Sequence, residues 1–371
     1  MVLIESGTMD APGIKRMADY TERRLQALGA RTERLKPASG HGDIVKGSFA
    51  GEGKRRLMLI AHMDTVYHPG ILATQPYKVD GNRIYGPGIA DDKGGVAVIL
   101  HALAILRDAG WHDYGKLTVL FNGDEESQSA GSGELISALA DEHDVVLSYE
   151  PTMAKSRAKD EGVLLAAAGI ATATLEVKGR AAHAGAAPEQ GRNALIELAY
   201  QLLQTSDIAK GIPGAQLNWT LAQAGAARNQ IPAEAQATAD VRLTAAGSAD
   251  KLLDALRAKI AESRRVPDAQ VSVRMNIGRP PFVGGEKTLD LATKARAIYA
   301  ELDGRKLIFF PGTGGGTDAG YANRSGKAAV LECMGLAGWG YHARDEYIEA
   351  DSIVPRLYLT ARLLTDLGRG E

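Results

Sequence analysis

Four short runs of almost uninterrupted apolar residues place the strongest constraint on how this chain can fold. They are residues 57–61, 117–121, 145–149 and 328–331. Apolar runs of this length that do not alternate with polar residues are typical of strands covered on both faces. Residues 94–109, between the first two runs, have the pattern of a mostly buried helix that stops at Gly110. This order predicts an α/β fold with a mixed, mostly parallel sheet flanked by helices.

The middle of the chain has a different pattern. Strands are indicated at residues 172–178, 217–223, 235–243 and 271–277, and helices at residues 193–203 and 249–261. This βαββαβ order predicts a small α+β domain inserted into a larger one. The length of 371 residues also exceeds what one core usually supports. We therefore expect a larger domain made of residues 1–168 and 281–371, and an inserted domain at residues 169–280.

Composition and charge exclude several classes of protein. The 43 Lys and Arg residues are balanced by 45 Asp and Glu residues, so we expect no nucleic-acid partner. The single cysteine, Cys333, permits no internal disulfide and no thiolate metal cluster. No apolar run approaches the roughly 20 residues of a membrane helix. The first 20 residues do not have the pattern of a signal peptide, so we expect no membrane association and a cytoplasmic protein, or a periplasmic one if the N-terminus is truncated or processed.

Acidic residues and a histidine directly follow three of the predicted strands. His62 and Asp64 follow the first strand, Glu125 and Glu126 the second, and Glu150 the third. Sheets of this class bind ligands at the carboxyl ends of their strands, so these side chains are expected to lie close together. Burying several carboxylates in one place is costly unless cations compensate them. The pattern therefore predicts a metal site, and without thiolates its ligands must be imidazole and carboxylate.

Six ordered motifs resemble those of the M20 family of zinc peptidases and aminoacylases. They are His62-Met-Asp-Thr-Val66, Gly86-x-Gly-x-x-Asp-Asp-Lys-Gly-Gly95, Asp124-Glu-Glu126, Ser148-Tyr-Glu-Pro151, Gly179-x-x-x-His-Ala-Gly185 and Gly338-x-Gly-x-His342. Within this family the chain is most similar to glutamate carboxypeptidases of the folate hydrolase type. The resemblance implies a zinc-peptidase catalytic domain and makes the inserted domain a lid that also forms the dimer interface.

The resemblance also implies two zinc ions per chain, for which Co²⁺ or Mn²⁺ can substitute. Asp91 would bind both ions, His62 and Glu150 would hold one, and Glu126 and His342 would hold the other. Zinc accepts imidazole nitrogen and carboxylate oxygen, and a hydrolytic site keeps one position open for water. The family has a cis peptide bond after the shared aspartate, so the Asp91–Asp92 bond is expected to be cis.

Three further residues receive catalytic roles from the resemblance. Glu125 would be the general base that takes a proton from the attacking water and later passes it to the leaving nitrogen. Asp64 would accept the second N–H of the His62 imidazole and fix its tautomer. In M20 homodimers the residue that matches His183 reaches the active site of the partner, where it would stabilise the oxyanion.

The inserted domain also supplies groups that resemble substrate-binding residues. Those matched to recognition of a free α-carboxylate are Arg279 and Asn229 of this domain, together with Gly316 of the larger domain. Arg242 matches a group that binds an acidic side chain. Glutamate-specific relatives carry a lysine and a serine where this chain aligns Gly162 and Leu164, so a broader or more apolar specificity is predicted. Introducing Gly162→Lys is expected to restore a preference for glutamate.

The function implied is a di-zinc hydrolase that releases a C-terminal amino acid, glutamate by resemblance, from an N-acyl, peptidyl or pteroyl-type substrate. An aminoacylase or dipeptidase of the same family is the nearest alternative. A catalytically silent binding protein would not need Glu125, and a dinucleotide-binding dehydrogenase is disfavoured because Asp91 and Asp92 would repel a pyrophosphate. The other histidines are interpreted as structural or surface residues, with His101 in the core; they are His41, His68, His101, His112 and His143.

Overall fold

The computed structural model describes residues 1–38, 42–245 and 247–370. The chain divides into two compact units. The first unit comprises Met1–Ala167, Gly284–Thr313 and Thr317–Glu371. The second unit comprises Ala168–Val283 and Gly314–Gly316.

The helices and strands are named here in chain order. The α-helices are α1 (Ala11–Ala27), α2 (Lys93–Asp108), α3 (Gly133–Ala140), α4 (Ala194–Thr205), α5 (Ser248–Glu262), α6 (Glu286–Ala300), α7 (Ala319–Ala322) and α8 (Ile353–Arg369). The strands are β1 (Arg31–Leu35), β2 (Ile44–Ala50), β3 (Arg56–His62), β4 (Lys78–Asp80), β5 (Arg83–Tyr85), β6 (Lys116–Asn122), β7 (Val145–Ser148), β8 (Thr152–Met153), β9 (Gly162–Leu164), β10 (Ala166–Ala167), β11 (Gly169–Lys178), β12 (Ala182–His183), β13 (Ala215–Ala224), β14 (Gln230–Ile231), β15 (Glu234–Leu243), β16 (Gln270–Arg279), β17 (Phe282–Val283), β18 (Ile308–Phe310), β19 (Ala329–Leu331), β20 (Ala337–Trp339) and β21 (Tyr347–Glu349).

A six-stranded sheet organises the first unit, in the order β1-β2-β6-β3-β7-β19. Strands β6, β3, β7 and β19 run parallel, whereas β1 and β2 add an antiparallel edge. The central strands are buried along most of their length, with Leu59, Phe121 and Leu147 in the core. Helices α2, α6 and α8 pack against one another or against the sheet. The predicted mixed, mostly parallel α/β fold is confirmed.

The second unit contains a four-stranded antiparallel sheet in the order β13-β15-β11-β16. Ala173 of β11 pairs with Ala239 on one side and with Met275 on the other. Helices α4 and α5 pack on this sheet and cover an apolar core that includes Leu175 and Leu256. Apart from the two-residue strands β12 and β14, the elements follow one another as β11, α4, β13, β15, α5 and β16. The function of this unit as a lid and dimer interface stays a prediction.

Two features of the first unit were not predicted from the sequence. Helix α1 packs against β1 and β2. A second sheet joins β4, β5, β21, β20 and β8, all of which are two or three residues long. Strands this short carry too few residues for a periodic pattern. In the described parts of the chain, no helix is both long enough and apolar enough to span a membrane.

Candidate metal centre and substrate-binding groups

Loops that follow the strands of the first unit bring the predicted metal ligands together. His62 ends β3, Asp91 precedes α2, Glu125 and Glu126 begin a 3-10 turn after β6, Glu150 follows β7, and His342 follows β20. The parallel strands β3, β6 and β7 end at the same edge of the sheet, which explains why residues so distant in sequence meet.

Asp91 lies at the centre of this cluster. Its Oδ1 is 2.9 Å from His62 Nε2, and its Oδ2 is 3.2 Å from His342 Nε2. Glu150 Oε1 lies 3.7 Å from the same His62 nitrogen, and Glu126 Oε2 lies 3.1 Å from His342 Nε2. The cluster therefore has two halves, each with one histidine and one glutamate, that share one aspartate.

The donor atoms suit a divalent metal of the zinc type. Ligand atoms of His62, Asp91 and Glu126 all lie within 4.8 Å of one another, and so do those of His62, Glu125 and Glu150. These atoms are imidazole nitrogens and carboxylate oxygens, the ligands that zinc binds in hydrolytic sites. Glu125 belongs to the same cluster, so distance alone does not separate a base from a ligand. Its role as the base stays a prediction.

The charges of the cluster favour bound cations. Burial raises the pKa of Glu126 and, more strongly, that of Glu150, and the charge of Asp91 raises both further. Hydrogen bonds to Asp91 and Glu126 raise the pKa of His342 to about 10. Burial opposes protonation of His62, yet hydrogen bonds to Asp64 and Asp91 raise its pKa well above the ordinary value. The carboxylates thus attract positive charge strongly, and divalent ions would supply it.

Asp64 is fully buried and holds both the imidazole and the turn that carries the two glutamates. Its Oδ1 and Oδ2 accept the backbone N–H groups of Glu125 and Glu126, each at 3.1 Å. Thr8 Oγ1 donates to Oδ2 at 2.8 Å. His62 Nδ1 lies 3.1 Å from the Asp64 carbonyl oxygen and 3.3 Å from Oδ1, so the ring proton belongs on Nδ1. In the neutral ring Nε2, which faces Asp91, then carries the lone pair that a metal ion would bind.

The loop before α2 is fixed by Asp92, which stands in one of the six motifs, and by Glu346, which lies outside them. The Asp91–Asp92 peptide bond is cis, as the resemblance implied. Asp92 caps α2 by accepting Gly95 N at 3.1 Å, and it accepts His62 N at 3.3 Å. Glu346 accepts backbone N–H groups of the same loop. Glu346 ends an Arg-Asp-Glu stretch that resembles an exposed turn, so the sequence gave no sign that its side chain is buried.

In the second unit, Arg279 and Gly316 come together. Arg279 is buried, and its Nη1 donates to the Gly316 carbonyl at 2.7 Å. A side chain at Gly316 would be crowded, because its Cβ would lie 3.0 Å from the Ala168 carbonyl oxygen. Arg242 is already paired, with Nε 2.9 Å from Asp240 Oδ1 and Nη2 3.1 Å from Oδ2. Sequence reasoning did not identify Asp240 as this partner.

His183 and Asn229 lie on neighbouring segments of the second unit. His183 is exposed and belongs to β12, which pairs with β14 next to Asn229. Ala184 N donates to the Asn229 carbonyl at 2.9 Å. His183 Nδ1 accepts the backbone N–H groups of Gly185 and Ala186 at 3.2 and 3.1 Å. In the neutral ring the proton therefore sits on Nε2, which can donate a hydrogen bond.

Gly162 and Leu164 lie in β9 and are buried. A Cβ built at Gly162 would be 2.6 Å from the Ile308 carbonyl oxygen and 2.6 Å from Cε2 of Phe310. A lysine at 162 therefore requires the backbone to shift. The expectation that Gly162→Lys would cleanly restore glutamate preference is not supported by this geometry.

Among the remaining histidines, one interpretation is wrong. His101 lies on the exposed side of α2 rather than in the core, and His68 and His112 are also exposed. His143 is buried, with Nε2 2.8 Å from Thr118 Oγ1, as expected of a structural histidine. His41 lies outside the described residues.

The sequence profile of Peptidase family M20/M25/M40 matches residues 58–366 of the chain. The chain belongs to this family. The M20 chain is 46% identical over 373 residues to Carboxypeptidase G2 of Pseudomonas sp. (strain RS-16), covering 100% of the chain and 88% of that protein. It is 30% identical over 332 residues to succinyl-diaminopimelate desuccinylase of Stenotrophomonas maltophilia, covering 85% of each protein.

Solved structures of similar fold agree with this membership. Aminopeptidase PepT from Bacillus cereus has a TM-score of 0.75 at 20% identity, covering 99% of the M20 chain and 95% of that chain. The M20 family metallo-carboxypeptidase Sso-CP2 from Sulfolobus solfataricus has a TM-score of 0.75 at 17% identity, covering 98% and 96%. At these identities the likeness shows the fold alone. Together with the family match, the predictions of an M20-type, metal-dependent peptidase and of its α/β fold are confirmed.

Proposed function

We propose that this M20 peptidase is a di-zinc amidohydrolase that releases a C-terminal amino acid from an N-acyl, peptidyl or pteroyl-type substrate. The observation that carries the proposal is the position of Asp91, whose two oxygens face the Nε2 atoms of His62 and His342. One carboxylate shared between two histidine-containing halves is what two neighbouring ions require. The likeness to Carboxypeptidase G2 supports release of a C-terminal residue, with glutamate as the first candidate.

When bound, the ions would polarise the scissile carbonyl and make the attacking water more acidic. Glu125 takes one proton from that water as the new C–O bond forms. It then delivers the proton to the nitrogen as the C–N bond breaks, so that a carboxylic acid and a free amine result. Asp64 keeps Glu125 in place through its hydrogen bond to the Glu125 backbone N–H.

Recognition of the released residue is assigned to the second unit. Arg279 offers a planar guanidinium that suits a free α-carboxylate, and its contact with Gly316 orients it. Asn229 is proposed as a further contact of this carboxylate. His183 is proposed as the donor that stabilises the oxyanion, because its Nδ1 is an acceptor and its Nε2 is left to donate.

Specificity for an acidic side chain is expected to be weak. Arg242 is matched to side-chain binding, but its charge is offset by the two-point contact with Asp240. Gly162 and Leu164 supply no cation where glutamate-specific relatives have a lysine and a serine. We therefore propose that apolar C-terminal residues are accepted along with glutamate.

We also propose a homodimer formed through the second unit. Strand β13 is an end strand of its sheet, and in the described part of the chain no strand pairs with its outer edge. Leu195, Ile196 and Leu203 of the neighbouring α4 are exposed, as is Leu221 of β13. An exposed sheet edge beside an apolar helix face can pair with its symmetry mate in a two-fold dimer.

The function is tested by two matched substitutions and a metal assay. Glu125→Gln keeps the shape of the side chain and removes the proton acceptor, so turnover should fall by a factor on the order of 100 to 10,000 with both ions retained. Glu126→Gln should instead lose an ion, which elemental analysis measures directly. An active wild-type preparation with one ion or none would contradict the two-ion proposal, and near-normal turnover of Glu125→Gln would place the base elsewhere.

The substrate is tested by measuring release of free amino acid from matched N-acyl glutamate and N-acyl leucine. Similar efficiencies would support the broad specificity proposed here, whereas cleavage of the glutamate substrate alone would contradict it. Amidation of the terminal carboxylate should lower efficiency roughly 100-fold or more, since a charge-assisted contact is lost. Efficient cleavage of the amidated substrate would contradict recognition of a free α-carboxylate.

The dimer is tested by sedimentation of Leu203→Glu, with Leu289→Glu on α6 as a control of similar chemistry in the first unit. Leu203 and Leu289 are 78% and 48% exposed. Only the first change should shift the protein towards monomer. Mixing inactive His183→Ala chains with inactive Glu125→Gln chains should restore part of the activity if His183 serves its partner. No recovery after confirmed subunit exchange would mean that it does not.

A further inference from the structure

The loop that carries Asp91 is held by one buried carboxylate. Glu346 Oε2 accepts Gly88 N at 2.7 Å, and Oε1 accepts Ala90 N at 2.8 Å and Asp91 N at 3.0 Å. The side chain of Glu346 is 0% exposed. Three of the backbone N–H groups of an irregular loop therefore end on one anion, which fixes the direction of the backbone at Asp91.

A buried lysine holds the same loop by donating to one of its carbonyl groups. Lys93 Nζ donates to the Pro87 carbonyl at 3.2 Å and to the Ile4 carbonyl at 2.9 Å, and Lys93 is only 1% exposed. The anion thus accepts three N–H groups of this loop, and the cation donates to one carbonyl group of the loop, that of Pro87, and to that of Ile4 in the N-terminal segment. Burying two charges is costly, and here the backbone polar groups of the loop compensate them.

Glu346 also connects this loop to the turn that carries His342. The two residues are four positions apart. The Tyr67 hydroxyl lies 2.8 Å from Glu346 Oε2 and 2.7 Å from the carbonyl oxygen of Ala343, the residue after His342. Glu346 and Tyr67 therefore link the backbone segments of two proposed metal ligands.

We propose that Glu346 is a positioning residue that aims the Asp91 carboxylate between the two ions. The inference rests on the proposed function, because it takes Asp91 as the shared ligand. Glu346 is itself neither a metal ligand nor a substrate contact, and it acts through the Asp91 backbone. Its loss should therefore weaken ion binding and turnover while substrate binding changes little.

The test measures the binding of Co²⁺ to Glu346→Gln in two ways. Calorimetry gives the affinity, and the visible spectrum reports the surroundings of the bound ion. The amide keeps the shape of the side chain but turns one oxygen into a donor, which must face a backbone N–H in either orientation. Affinity for Co²⁺ should fall roughly 10- to 100-fold with a changed spectrum. Turnover should fall with little change in KM.

Glu349→Gln is the matched control. Glu349 is a buried glutamate that also accepts a backbone N–H, that of Lys155 at 3.1 and 3.2 Å, but among the described residues no hydrogen bond joins its side chain to the loop of Asp91. An equal loss of Co²⁺ affinity in this control would overturn the inference, since the effect would then be general destabilisation. If Glu346→Gln does not fold, Tyr67→Phe replaces it: a several-fold loss of affinity supports the link, and unchanged binding overturns it.

Asp91→Asn separates this inference from the function on which it rests. If Asp91→Asn loses ions and Glu346→Gln binds Co²⁺ as the wild type does, the inference is overturned and the function stands. If the wild type binds fewer than two ions and Asp91→Asn binds as the wild type does, the proposed function itself fails, and the inference with it.

Discussion

Asp64→Asn removes the charge that organises the interior of the metal centre without changing the shape of the side chain. Asp64 accepts four donors in the structure, from Glu125, Glu126, Thr8 and His62. An asparagine has one carbonyl oxygen, so its NH₂ group must face at least one of the two backbone N–H groups. That N–H is buried and would lose its acceptor, and the other hydrogen bonds would lose their charge.

The cost follows from these contacts. One buried N–H without an acceptor costs about 1 to 3 kcal/mol, and loss of charge from about two further hydrogen bonds costs about 1 kcal/mol each. We expect the free energy of unfolding of the metal-free protein to fall by about 3 to 5 kcal/mol. The loaded enzyme should also lose roughly 10- to 100-fold in ion affinity or turnover, as is usual when a partner of a ligating histidine is removed.

Urea unfolding of the chelator-treated protein measures the first effect, and titration with Zn²⁺ measures the second. Asp80→Asn is the control, because Asp80 is an exposed residue paired with Lys78 at 2.8 Å. Its loss should change stability by less than about 1 kcal/mol. If the free energy of unfolding falls no further in Asp64→Asn than in this control, Asp64 does not organise the candidate metal centre through its charge.

Two further predictions concern positions outside the metal cluster. Gly316→Ala would place a Cβ 3.0 Å from the Ala168 carbonyl oxygen and 3.0 Å from Arg279 Cδ. Overpacking of about 1 to 3 kcal/mol should displace Arg279 and raise KM roughly tenfold, with a smaller change in kcat. An unchanged KM would contradict the proposal that Arg279 binds the α-carboxylate. Burial lowers the pKa of His143 below its ordinary value of 6.5, although the hydrogen bond between its Nδ1 and the Leu139 carbonyl opposes this shift. The unfolded chain then binds the proton more readily, so stability is lost as the pH falls below about 6.5. His143→Gln should show a smaller decrease in the urea midpoint between pH 7 and pH 5 than the wild type, and an equal decrease would contradict this.

The sequence determined the central sheet and brought together three of the five residues of the candidate metal centre. Strands β3, β6 and β7 could be predicted because they are apolar almost throughout, and covered strands need no polar face. Their parallel arrangement brings His62, Glu126 and Glu150 to one edge of the sheet, so a few local patterns were enough to predict the cluster. The same reasoning from apolar pattern failed for His101, because α2 is apolar around most of its circumference and its one exposed side cannot be found without its neighbours.

Only the tertiary structure decided which partners the remaining charged residues have. Glu346 and Asp240 look like ordinary solvated acids in the sequence. In the structure Glu346 accepts three backbone N–H groups, and Asp240 pairs with Arg242. His342 is brought to Asp91 by β20 and β21, strands of three residues each whose pairing depends on partners distant in the chain. The physical reason is that a hydrogen bond or an ion pair depends on the distance between two atoms, and that distance is set by the packing of segments that the sequence does not place next to one another.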